Sequence, residues 1–318
     1  MSARPGQRTK GPSTVPTPED LYTLHGDPPQ LDGPVLLYSF TGFLDAGAAS
    51  QGAVEHLLDT LDHRVVGTFD PDELVDYRSR RPRMTFAEDR YAEVEDDPLV
   101  LREVTDATGT RFLLLAGPEP DLRWNQFVAA VTGLVERLGV RVAVSMSGVP
   151  FPVPHTRPVR LTAHATDPAL ITGHSPWVGT VQIPGHVAGL LELRLGQAGH
   201  PALGFAAHVP HYLAQVPYPR ASVALLDAVF GATGLMLATD ALRAAAETTD
   251  AEIATQVARN EENLPIVHAL ERQYDAFAGS AGRSGAGGLG PLPSGEEIAA
   301  QLQDFLADIE GRSGDDPA

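Results

Sequence analysis

The sequence predicts an α/β fold of three layers, with helices on both faces of a mixed central sheet. Two observations carry that prediction. Short apolar runs without alternation occur at 35–40, 112–116, 142–144 and 203–207, the pattern of strands buried on both faces. Amphipathic helical patterns lie between them, and strands alternating with helices build a sheet covered on both sides.

The elements follow in chain order. Residues 1–20 hold no apolar segment and read as a disordered tail. A core domain then spans 21–236. Its first buried strand, 35–40, runs into Thr41-Gly42-Phe43-Leu44-Asp45-Ala46-Gly47. Asp45 is placed to cap the next helix, with Val54, Leu57, Leu58 and Leu61 inward. Open α/β sheets place ligands at such strand-to-helix turns, and helix N-termini attract anions. Thr41, Gly42, Asp45 and Gly47 are therefore candidate crevice residues.

Segment 72–83 carries Arg78, Arg80, Arg81 and Arg83 close together. They fit an anion or an acidic partner through forked hydrogen bonds, or pairing with the nearby Asp70, Asp72, Glu73 and Asp76. Strands are read at 84–94 and 99–104, joined by an acidic turn. The clearest helix is 121–138. Trp124, Phe127, Val128, Val131, Leu134, Val135 and Leu138 form one apolar stripe, with Asp121 as N-cap and Gly139 as stop.

After the 142–144 strand comes Ser147-Gly148-Val149-Pro150-Phe151-Pro152-Val153-Pro154-His155-Thr156-Arg157-Pro158-Val159. Each proline removes a donor and fixes φ. The stretch is expected to be a stiff loop that leaves the sheet after Ser147-Gly148. It would hold His155, Thr156 and Arg157 in place at the sheet edge, with little entropy to lose on binding. Two further strands are read at 159–165 and 178–183. His208 and His211 follow the 203–207 strand and face the same crevice. Pro210 argues against a helical His-x-x-His metal site, and no cysteine or carboxylate cluster completes one. No metal and no cofactor is expected.

Beyond Pro217 the chain reads as helical, at 219–230, 239–247, 250–259 and 263–277. Residues 237–278 form a helical extension. A Gly/Ser/Pro linker, 279–293, comes next. It contains a letter-for-letter G-x-G-x-x-G from Gly285 to Gly290, but no strand precedes it, so a dinucleotide role is not expected. Ser294 and Glu297 make a capping box. It opens a docking helix, 294–310, with Ile298, Leu302, Phe305, Leu306 and Ile309 on one stripe.

Composition narrows the function classes. The chain of 318 residues has a formal charge of −18 and no cysteine. The charge opposes binding to nucleic acid or anionic membranes. The lack of cysteine excludes a thiolate nucleophile and suits a reducing cytoplasm. No apolar run is long enough to span a bilayer. There is no G-x-S-x-G elbow and no Walker A loop, so no catalytic residue is assigned.

Six blocks carry a family resemblance: SFTGFLDAG from Ser39, DELVDYRSRRPRMTF from Asp72, LLLAGPEPDLRW from Leu113, VPHTRP from Val153, HVPHYLAQ from His208 and LERQYDAF from Leu270. They resemble the proteasome assembly chaperone family, closest to its actinobacterial branch of unknown function. The resemblance implies an α/β/α core similar to purine nucleoside phosphorylases, and a homo-oligomer, by analogy a trimer. Members that dock on the proteasome end in a hydrophobic-Tyr-any tripeptide. This sequence ends Ser313-Gly314-Asp315-Asp316-Pro317-Ala318, so docking by that route is not expected. Two readings follow. One is a chaperone-like protein-interaction module with a protein partner. The other is a small-molecule binder or enzyme using the crevice, with Ser147, His155, Thr156, Arg157, His208 and His211 around it. Arg157 would hold an anion there and a histidine would move a proton.

Overall fold

The computed structural model describes residues 17–95, 98–174, 179–259 and 263–281. The strands are β1 (Tyr22–Leu24), β2 (Val35–Thr41), β3 (His63–Phe69), β4 (Met84–Ala87), β5 (Arg90–Val94), β6 (Val100–Thr105), β7 (Arg111–Pro118), β8 (Val142–Phe151), β9 (Leu161–Ala165) and β10 (Ala202–Pro210). The helices are α1 (Ala49–Thr60), α2 (Pro71–Leu74), α3 (Trp124–Arg137), α4 (Val187–Gln197), α5 (Pro219–Thr233), α6 (Asp240–Arg259) and α7 (Asn263–Ala281). Pro18–Leu21 forms a short 3-10 helix with Leu21 buried. The linker and docking helix read at 279–293 and 294–310 fall outside the described residues, apart from the end of α7.

Eight strands form one sheet in the order β1-β3-β6-β7-β2-β8-β10-β9. The middle four, β7, β2, β8 and β10, are parallel, and the outer strands are antiparallel. The sheet is mixed and has helices on both faces. Successive side chains of β2 alternate between two cores. Val35 and Leu37 join Val54, Leu57, Leu225 and Leu226 from α1 and α5. Leu36, Tyr38 and Phe40 join Phe127, Val131, Leu191 and Leu195 from α3 and α4. Phe127 lies at the centre of the second core, its ring 5.6 Å from Phe40 and 5.0 Å from Phe69.

Several elements differ from the sequence reading. The strand read at 84–94 is a hairpin, β4–β5, in a two-stranded sheet of its own. β8 continues to Phe151, pairing with β10 as far as Pro210↔Phe151. Pro150 is tolerated there because β2 leaves β8 after Ser145, which frees one edge of the strand. Residues 179–183 are irregular, with Val181 and Ile183 exposed, and β9 is the last strand of the sheet among the described residues; Val178 lies outside the described residues. α3 begins at Trp124, not at Asp121, because the Asp121 carboxylate is taken by the Asp76 amide at 2.9 Å and by Arg80. The helices read at 239–247 and 250–259 are one, α6.

Buried Asp106 ties the β6–β7 turn to the chain beyond α5. It accepts from the Thr108 and Thr110 amides at 2.8 Å and from the Met236 amide at 2.9 Å. Burial pushes its carboxyl up, but these donors outweigh it and hold it below the ordinary value.

Two outcomes follow. Phe127→Ala is expected to cost about 3–5 kcal/mol in urea unfolding. For Asp106 the depressed folded value means its stabilisation is complete above the unfolded value of 3.8 and is lost as pH falls through that range. Asp106→Asn should cost about 1–3 kcal/mol at neutral pH and flatten the loss of stability as pH falls below 3.8, read from unfolding midpoints.

Candidate functional site

The parallel strands end together, and two cavities open beyond their carboxyl ends. The larger, about 310 Å³, is lined by Thr41, Gly42, Asp45, Gln51, Gly148 and Gln215, with Phe43 and Leu44 on one wall. Its floor depends on close backbone approach. Asp45 bridges Gly148 in parallel fashion, and a Cβ on Gly148 would lie 2.2 Å from the Ala46 carbonyl. Asp45 caps α1 across a short 3-10 turn, accepting from the Ser50 amide at 2.7 Å and the Gln51 amide at 2.9 Å. Burial nevertheless raises its carboxyl above the ordinary range. Gly47 stands behind this wall, donating to the Ala214 carbonyl and accepting from the Tyr218 amide, both at 2.8 Å.

The proline-rich segment meets its own chain. His155 is buried, and Tyr212 Oη lies 2.9 Å from its amide and 2.8 Å from its Nδ1. Burial lowers the imidazole pKa against the pull of Asp250 and Glu271. Thr156 donates to Glu271 at 2.5 Å. Arg157 grips Asp275 with two parallel bonds of 2.8 and 2.7 Å and reaches Glu271 at 3.2 Å. Tyr274 donates to the Pro158 carbonyl at 3.0 Å. Rigid loop and helix α7 are thus fastened together, and the triplet His155-Thr156-Arg157 does not line the cleft.

His208 and His211 also stand apart from the cleft lining. The His208 ring stacks on Phe151 with centroids 4.0 Å apart, and its Nε2 lies 2.8 Å from Thr162 Oγ1. Burial, helped by the Arg160 charge, pulls its pKa down to about 4, so it is neutral at physiological pH. Burial also lowers His211. Among the arginines, Arg80 pins its loop to Asp121 at 2.8 Å and to the Glu119 carbonyl. Arg83 pairs with Glu95 at 2.8 Å on the surface. Arg78 and Arg81 are exposed and form no ion pair among the described residues.

The second cavity, about 30 Å³, shares the Phe43–Leu44 wall and lies on the α4 side of β8. Ser147 lines it, together with residues that sequence reasoning passed over: Glu119, Ser145, His164 and His186. Glu119 accepts the Val187 amide at 2.6 Å, and His186 caps α4 through the Gly189 amide at 3.2 Å. Phe43 stacks on His186 at 6.4 Å. The apolar stripe Val187, Leu191 and Leu195 was the signal for α4. Among the described residues no three His, Asp or Glu side chains are arranged to hold a metal, and no helix is long and apolar enough to cross a membrane.

A three-layer α/β/α sheet with its cavities at the carboxyl ends of a parallel quartet defines the structural class. The PAC2 family model matches residues 39–257, and the chain belongs to that family. A Mycobacterium tuberculosis protein of unknown function, Rv2714, is 44% identical over 88% of this chain and 94% of its own, with a TM-score of 0.79. A protein of unknown function from Corynebacterium glutamicum is 36% identical over 81% and 98%, TM-score 0.78. The M. tuberculosis proteasome-assembly chaperone homologue Rv2125 is 27% identical over 73% and 99%, TM-score 0.68. No functionally curated protein matches the sequence.

Removing the Arg157 grip should release α7 without unfolding the sheet. In Arg157→Ala, amides of α7 are expected to exchange with deuterium faster, and those of β8 and β10 at the parental rate. High salt should reproduce part of the effect in the parent protein.

Proposed function

We propose that this chain is a chaperone-like protein-interaction module that acts as a cytoplasmic homo-oligomer, by analogy a trimer. One observation carries the reading. The β4–β5 hairpin stands outside the main sheet and shows water Met84, Phe86, Tyr91 and Val94 at 56%, 59%, 70% and 51% exposure. An isolated two-stranded hairpin is marginal in water, and clustered exposed apolar side chains mark interaction surfaces. The hairpin follows the arginine-rich loop, so an apolar arm with a basic root meets a chain of net charge −18. Arg78 and Arg81 there form no ion pair among the described residues and are left for an acidic surface of a second copy. Membership of the PAC2 family and the likeness to a proteasome-assembly chaperone homologue support the same reading.

The cleft of about 310 Å³ supports a second reading, small-molecule binding. Ligand at a hundredfold over its Kd adds about 2.7 kcal/mol of stability, so a thermal-shift panel of nucleosides, bases and phosphate tests it directly.

Light scattering on the purified protein should give an oligomer mass, and Phe86→Asp with Tyr91→Asp should give a monomer with an unchanged circular dichroism spectrum. A tagged pull-down from native lysate then identifies any stoichiometric protein partner. A monomeric parent protein that captures no stoichiometric partner removes the reading.

A further inference from the structure

His164 on β9 is in register with Gly204 of β10, and Gly204 is in register with Ser145 of β8. The three make one row across three strands, facing α4. Glycine inside a strand weakens it, and here close approach explains it. A Cβ on Gly204 would lie 2.1 Å from Ser145 Oγ, and 2.2 and 2.7 Å from Cε1 and Nε2 of His164. The imidazole and the serine hydroxyl therefore both lean over Gly204 from the strands on either side of it.

Glu192 of α4 holds the other side of the ring, with its two oxygens 2.9 and 2.8 Å from Nδ1. A carboxylate only accepts, so Nδ1 carries the proton and Nε2 is left as a base. Tyr38, wholly buried, stands beside Ser145 and donates to the Ala188 carbonyl of α4 at 3.5 Å. Ser145 and His164 both line the cavity of about 30 Å³, room for one oxygen-sized group. Ala188 and Gly189 of the first turn of α4 line it too, so the positive end of that helix faces the same space.

We propose that Ser145, His164 and Glu192 form a nucleophile, base and orienting carboxylate for acyl transfer from small carboxylic esters. Ser145 Oγ attacks the ester carbonyl carbon while its proton passes to His164 Nε2. The carbon–oxygen bond to the alcohol breaks, and the alcohol leaves with that proton. Water then attacks the acyl-serine through the same base, releasing the carboxylic acid and restoring the hydroxyl. The first turn of α4 faces the carbonyl oxygen as its negative charge develops. The alcohol side extends past Phe43, which walls both cavities. The site stands independently of the hairpin and its partner.

A short-chain alkyl fluorophosphonate tests this directly, because it phosphonylates an activated serine and releases fluoride. The expected result is a covalent adduct on Ser145 in the parent protein, located by peptide mass spectrometry, and none in Ser145→Ala or His164→Gln. Hydrolysis of p-nitrophenyl acetate should fall about 10²–10⁴-fold in His164→Gln, with melting curves reporting that both variants remain folded. No adduct on the folded parent protein, an adduct on another residue, or equal labelling in His164→Gln overturns the proposal.

Discussion

Four parallel strands with apolar side chains on both faces leave neither face for water, and the architecture follows from that. Helices must cover each side, and they do so with α1 and α5 on one and α3 and α4 on the other. Burying a polar group costs free energy unless it is hydrogen-bonded. Polar side chains inside these strands are accordingly few and partnered, as with Ser39 donating to Ser50 at 2.8 Å. The rest of the polar chemistry gathers where the strands stop. The carboxyl ends of β2 and β8 are also where the helix cover ends, and both cavities open there.

The proline-rich segment shows what stiffness does in this fold. β8 loses its β2 neighbour after Ser145 and keeps only β10. The prolines then fix the path without needing a ladder on the open side. The segment presents Thr156 and Arg157 to carboxylates more than a hundred residues later, 115 and 118 positions along the chain. A flexible loop would lose much of that ion-pair energy to ordering its own backbone.

Legibility in the sequence divided along physical lines. Strands β2, β7, β8 and β10 were readable because burial on both faces gives a short unbroken apolar run. α3 was readable from its single stripe. β3 was hidden because its first half, His63 to Val65, is exposed and does not alternate. α4 was hidden because Gly189 and Gly196 interrupt a stripe of only three side chains. The place of Thr41, Gly42 and Asp45 at the cleft was legible, since a strand-to-helix turn is a local feature. Arg157 was legible as a fixed polar group, but Asp275 as its partner was not. The row Ser145–Gly204–His164 is a statement about register between three strands far apart in sequence. No local pattern of spacing encodes it, and Glu192 lies on the helix that was missed.

The two ends of the sheet carry different side chains. Its β3–β6 side bears the connection from which the apolar hairpin projects, and its β8–β10–β9 side bears the imidazoles and serines. Yet the two are joined through one short segment. Arg80, at the root of the hairpin, is anchored on the Glu119 carbonyl and the Asp121 carboxylate. The Glu119 side chain in turn holds the Val187 amide that begins α4 and lines the chamber. Whatever fixes the arginine loop also fixes the helix end that faces His186 and Ser145. In this fold the apolar hairpin and the polar chamber share the β7–α3 connection as a common support.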